Sequence, residues 1–138
     1  MSASDDILAP ISVDEPMDKI TILEIKSERI TNQSRLDNVA GELGALRAVR
    51  LGGIAMLANL SAELKRVNAK LWDVEDATRE CDARGDLGEA FIALARTVYR
   101  LNDERSRLGK AISIASGSRL REEKSYKSFQ RTEPDRSA

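Results

Sequence analysis

The chain has 138 residues, enough for one domain with a core that needs no covalent staple. It carries 22 basic and 23 acidic residues, no histidine and one cysteine, which excludes Ser-His-Asp, Cys-His and His-ligated zinc chemistry as well as an internal disulfide. A net charge of -1 gives no global attraction to nucleic acid or anionic lipid, and no apolar run reaches membrane-spanning length, so the expected location is the cytoplasm.

Aromatic residues are scarce (two Phe, two Tyr, one Trp) beside abundant Leu, Ala, Arg and Glu, a balance that favours helices. Residues 1–11, "MSASDDILAPI", read as a frayed arm, and the first 18 residues hold five acids and no base. A first helix is expected from Ser12, where Ser12 and Glu15 have capping-box spacing and Pro16 falls in the first turn. The stretch "MDKITILEIKSERI" is rich in β-branched residues, yet Met17, Ile20, Leu23 and Ile30 keep helical spacing. Ile22 and Ile25 widen the stripe, and the strict alternation that a strand requires fails. Glu15 and Lys19 form a favourable i,i+4 pair, and Glu24 stands in the most apolar run.

"TNQS" interrupts the chain, with Ser34 the expected cap of a second helix carrying Leu36, Val39, Leu43 and Leu46. Its pattern ends near Leu51, and Gly52-Gly53 marks a turn. Gly41 and Gly44 within it each cost about 1 kcal/mol against Ala, through simple tolerance or to admit a neighbouring helix. A third helix keeps a heptad rhythm through Leu57, Leu60, Leu64, Val67, Leu71, Val74, Thr78 and Cys81. It ends at "DARGD", where Gly85 suits the C′ position and Asp86 suits the cap of the next helix, with Glu89 three residues on. The fourth repeats the rhythm through Phe91, Leu94, Val98, Leu101, Arg105, Leu108, Ile112 and Ala115 and stops at "SGS".

Two helices of about 40 Å joined by a short loop predict an antiparallel hairpin crossing near about +20°. The expected fold is therefore all-α: a four-helix antiparallel bundle, or an extended helical hairpin with two shorter packed helices and a flexible C-terminal tail. The helical domain spans 12–118, between the arm at 1–11 and a tail at 119–138. That tail holds six bases and four acids, and Tyr126 and Phe129 are placed to pin its first part onto the bundle. Helices 1 and 2 carry shorter stripes, which leaves the far end of the hairpin uncovered and predicts a protein partner or a homo-oligomer.

Three polar clusters are candidates for chemistry. On "LWDVEDATRE", Asp73 and Asp76 are i,i+3 neighbours beside Trp72 and Glu75, and "LNDERS" places Asp103 and Glu104 on the facing helix. Magnesium held by Asp73, Asp76, Asp103 and Glu104 is the less favoured reading, because the paired acidic motifs of all-helical nucleotide pyrophosphatases are absent; otherwise no cofactor is expected. A solvated, ion-paired helix face is the plainer account. The second cluster is Asn68, Asn102 and Arg105, where Arg105 takes a seam position and needs a carboxylate, with Glu24 or Glu75 the expected partners. A register-setting polar network is favoured there over a ligand site. In the third, "REEKSYKSF", Lys124, Ser125 and Tyr126 are placed to close over a phosphate or an acidic partner. Interleaved charges and the lack of aromatic platforms disfavour nucleic acid, and "GDLG" is too short for a phosphate loop.

The segments "ISVDEPMDKITILEIKSERI", "LWDVEDATRECDARGD", "FIALARTVYRLNDERSRLGKAI" and "EEKSY", in this order across most of residues 11–126, resemble the small bacterial and phage proteins grouped as domain-of-unknown-function 6165. "VRLGGIAMLANLS" stands outside the resemblance. The resemblance implies an all-helical fold and no established activity. The matching motifs contain Asp18, Lys19, Glu24, Lys26, Trp72, Glu75, Asp76, Asn102, Asp103, Glu104, Arg105 and Lys124. The function expected is a non-enzymatic, self-associating helical interaction module working through Trp72, Glu75, Asp76, Asn102, Asp103 and Arg105. A magnesium-dependent nucleotide or phosphate-ester hydrolase is the second reading, and a small-molecule binding accessory protein using Arg105 and Lys124 the third.

Overall fold

The computed structural model describes residues 5–49 and 54–117, the side chains of 54–56 excepted. It contains α1 (Asp14–Arg29), α2 (Gln33–Arg47), α3 (Ile54–Ala83) and α4 (Glu89–Ser116), and no strand among the described residues. The all-α expectation holds, and the Ile-rich segment is a helix. Lys124, Tyr126, Phe129 and the Gly52-Gly53 turn lie outside the described residues.

With 30 and 28 residues, α3 and α4 are the long elements and pack on each other as the principal contact of the fold. Their seam is built by Leu57, Leu64, Val67 and Leu71 on α3 against Leu101, Leu108 and Ile112 on α4. The turn between them follows from Gly85. At φ +70 it takes the left-handed conformation, and the Asp86 amide donates to the Cys81 carbonyl at 2.8 Å while the Gly85 amide donates to that of Asp82 at 3.0 Å. That double closure satisfies the last carbonyls of α3.

Helix α1 is a middle layer. Met17 joins the hairpin core, whereas Leu23, with Ile20 and Ile30 beside it, packs with Val39 and Leu43 of α2 in a second core. A helix buried on two sides needs apolar residues over most of its circumference, which explains the crowded isoleucines. Among the described residues, helix α2 packs on α1 and on neither long helix. The arrangement is thus an extended hairpin bearing α1, with α2 as an outer layer, and not a symmetrical four-helix bundle.

Several helix ends depart from the expected caps. The cap of α1 is Val13, with no side-chain hydrogen bond; Ser12 is buried and its hydroxyl has no partner among the described residues. Asn32, not Ser34, caps α2, accepting from the Arg35 amide at 3.0 Å. Gly88 is the cap of α4, and Asp86 Oδ1 instead accepts from the Gly88 amide at 3.3 Å. A Cβ at Gly41 or Gly44 would meet nothing within 4 Å, so neither glycine admits a neighbouring helix. The close approach is at Gly109 of α4, where a Cβ would stand 3.0 Å from the Asp14 carboxylate.

Candidate functional site

A polar seam fastens α1 to the hairpin. Its members on α1 are Asp14, Asp18 and Thr21, which continue the row of buried Ile25 toward the helix start at 4-3-4 spacing. The Asp18 carboxylate takes a fork of two hydrogen bonds from Arg105, one from Nε at 3.0 Å and one from Nη2. Asn68 of α3 donates to Asp18 Oδ1 at 2.8 Å and to Thr21 Oγ1 at 2.9 Å. The Thr21 hydroxyl in turn donates to the Asp18 carbonyl at 2.7 Å. One turn earlier, Ser113 Oγ donates to Asp14 Oδ1 at 2.6 Å.

Arg105 therefore has its carboxylate, but the partner is Asp18 and not Glu24 or Glu75. Glu75 is exposed, on the part of α3 beyond the end of α1. Glu24 faces the gap between α2 and α3, with Arg47 Nη2 of α2 at 3.6 Å and Lys65 Nζ of α3 at 3.5 Å. Lys65 is held more closely by Glu28, at 2.7 Å. The Glu28 hydrogen bond, against a smaller opposing effect of burial and with help from Glu24, raises the Lys65 pKa above its ordinary value. Lys19 reaches Glu42 on α2 at 2.7 Å instead of closing on Glu15.

Glu24 and Arg105 are held by different partners, Glu24 by Arg47 and Lys65 and Arg105 by Asp18. Arg105 belongs to the closed seam, where Asp18, Thr21 and Asn68 satisfy one another. Such closure fits a structural network better than an open ligand site. Half-buried Asn102, Asp103 and Glu104 sit on the turn of α4 just before Arg105. Asp73, offered as a magnesium ligand, is engaged by Arg29, whose guanidinium also lies 5.8 Å from the centroid of half-buried Trp72. Among the described residues no three Cys, Asp or Glu side chains stand together to hold a metal ion. Sequence spacing does not single out Ser113 of α4, whereas the Ile25 row extended back through Thr21 and Asp18 to Asp14 points to the two further members on α1.

The bonds tying α1 to the hairpin engage α3 at Lys65, Asn68 and Asp73 and α4 at Arg105 and Ser113. Beyond them the seam opens. Cys81 is buried, but Val74, Ala77 and Thr78 of α3 and Phe91, Leu94, Ala95 and Val98 of α4 are half-buried. Leu87, Ile92 and Tyr99 are 57%, 45% and 57% exposed at this end. Ile92, Ala95 and Tyr99 fall on one face of α4, adjoining the row of Phe91, Ala95 and Val98. Charge is unevenly divided between the two helices: Asp73, Glu75, Asp76, Glu80 and Asp82 of α3 are exposed around Arg79, while the facing stretch of α4 exposes Arg96 and Arg100, with Glu89 alone at its start.

These features define an all-α protein built on a long helical hairpin, with a closed polar seam at its middle and an apolar, charge-divided end. No described helix is long and apolar enough to cross a membrane. The chain matches the Family of unknown function (DUF6165) over residues 8–137, nearly its full length, and belongs to that family. No curated protein and no solved structure matches it.

Proposed function

We propose that the protein is a non-enzymatic helical interaction module that self-associates through the far end of the α3–α4 hairpin. One observation carries this reading: the seam stays half-buried where α1 and α2 do not reach, next to exposed Ile92 and Tyr99. Scattered exposed apolar residues are ordinary on any protein, but a patch continuous with an incompletely closed core is a docking surface. The favoured partner is a second copy. Its α4 apolar face meets the same face across a twofold axis, and the Arg96–Arg100 flank of each copy meets the acidic Glu75–Asp76 flank of the other. Two hairpins joined in this way close into a four-helix arrangement with the seams buried.

Light scattering after size exclusion tests the reading. The wild-type chain is expected to elute as a dimer at micromolar concentration, and Ile92→Glu or Tyr99→Glu to weaken association at least about tenfold, since central apolar contacts dominate such interfaces. Both positions are exposed within a single chain, so helicity should be unchanged. A wild-type chain that stays monomeric under these conditions would count against the proposal.

A further inference from the structure

The outer position of α2 has a second consequence. Because, among the described residues, α2 packs on α1 and not on α3, a cleft is left between its last turn and the first turns of α3, floored by α1. Its volume is about 470 Å³, and Met17, Ile20, Leu46 and Leu57 contribute apolar walls. Among the described residues the charged lining groups are Glu24, Arg47 and Lys65. This lies within the range of small-molecule sites, about 300–1,000 Å³, whose walls are mostly apolar with a few polar groups. It is also distinct from the hairpin end, which lies beyond the far terminus of α1.

The charges choose the ligand. Lys65 is already held by Glu28 at 2.7 Å, which leaves Arg47, only loosely paired with Glu24, as the lining cation with donors to offer. Neither cation is closely bonded to Glu24: the separations of 3.6 and 3.5 Å exceed the roughly 2.7–2.9 Å of a charge-assisted hydrogen bond. Among the described residues Arg47 has no closer ion-pair partner, and its guanidinium retains donors in a fork suited to a carboxylate. An organic cation has little to gain from Glu24, which two bases already neutralise. A neutral apolar molecule would fill the walls but leave the open donors of Arg47 unused.

We propose that this cleft binds a free single-chain amphiphilic acid, with its carboxylate on the Arg47 guanidinium and beside Lys65, and its apolar body against Met17, Ile20 and Leu57. Glu28 keeps Lys65 protonated and positioned. Glu24 spaces the two cations and keeps them from repelling each other while the site is empty.

Titration calorimetry on the full chain with decanoate below its micelle concentration tests the proposal. Saturable binding of one decanoate per chain is expected, with decanol and decyltrimethylammonium binding at least about tenfold more weakly. Arg47→Gln should weaken decanoate binding about tenfold, and Ala58→Trp, which fills the cleft from an exposed lining position, should abolish it at unchanged helicity. The proposal is overturned if the wild-type chain does not bind decanoate, if the alcohol or the ammonium binds as well, or if both variants bind as the wild type does. Co-sedimentation with phosphatidylglycerol vesicles, absent under the proposal, would overturn a free acid as the ligand.

Discussion

Two acidic residues on α1 have opposite roles. Asp18 lies in the row that faces the hairpin and receives a forked bond from Arg105 and a further one from Asn68. Glu24 faces the gap between α2 and α3 in two loose ion pairs. Asp18→Asn should cost about 1–3 kcal/mol, toward the lower end because Arg105 keeps 36% of its side chain in water. Glu24→Gln should cost under about 1 kcal/mol. Urea denaturation of the two variants checks the order, and a larger loss at Glu24 would reverse the assignment. Lys65 adds a pH signature. Its folded pKa is raised above 10.5, chiefly by the hydrogen bond to Glu28, so its contribution is complete below that value and fades as pH climbs through the folded one. The stability gap between wild type and Lys65→Gln should therefore be constant at neutral pH and shrink above 10.5. A gap that persists there would show that the pair does not hold Lys65.

At the scale of the element, the glycines separate into kinds. Gly41 and Gly44 are exposed in the middle of α2 with free space where a Cβ would stand, so Ala at each should stabilise the chain by up to about 1 kcal/mol. Gly85 sits at φ +70 in the turn that makes the hairpin, and Gly85→Ala should cost about 1–2 kcal/mol. Thermal unfolding monitored by circular dichroism measures all three, and a destabilised Gly41→Ala would reveal a contact at that face. The same scale shows what the sequence could and could not convey. Heptad spacing located α3 and α4, and Gly85 and Gly117 located their ends, because backbone conformation and side-chain periodicity are local properties. The partner of Arg105 was not legible, because periodicity tells which residues share a face and not which helix that face meets. Glu24 drew attention as the charge in an apolar run, yet α1 is apolar toward two neighbours, and the row holding Asp18 is the one turned to α4. The caps moved for a related reason: Ser12 and Glu15 have the right spacing, but Ser12 is packed inside.

For the whole molecule, the hairpin extends farther than the shorter helices reach. Its middle is closed by α1 through the Asp18–Arg105–Asn68 seam, which also fixes the register of α1 on the hairpin. Its far end is left with half-buried apolar residues, mainly acids on α3 and mainly bases on α4, a division that the proposed self-association about a twofold axis would satisfy. The most direct test exchanges those charges. One chain carries Arg96→Glu and Arg100→Glu, the other Glu75→Lys and Asp76→Lys, and sedimentation equilibrium gives the mass of each alone and of their equimolar mixture. Self-association through this end predicts two weakened, largely monomeric chains whose mixture recovers the mass of a dimer. Chains that behave alike alone and together, with no gain in mass on mixing, would contradict it.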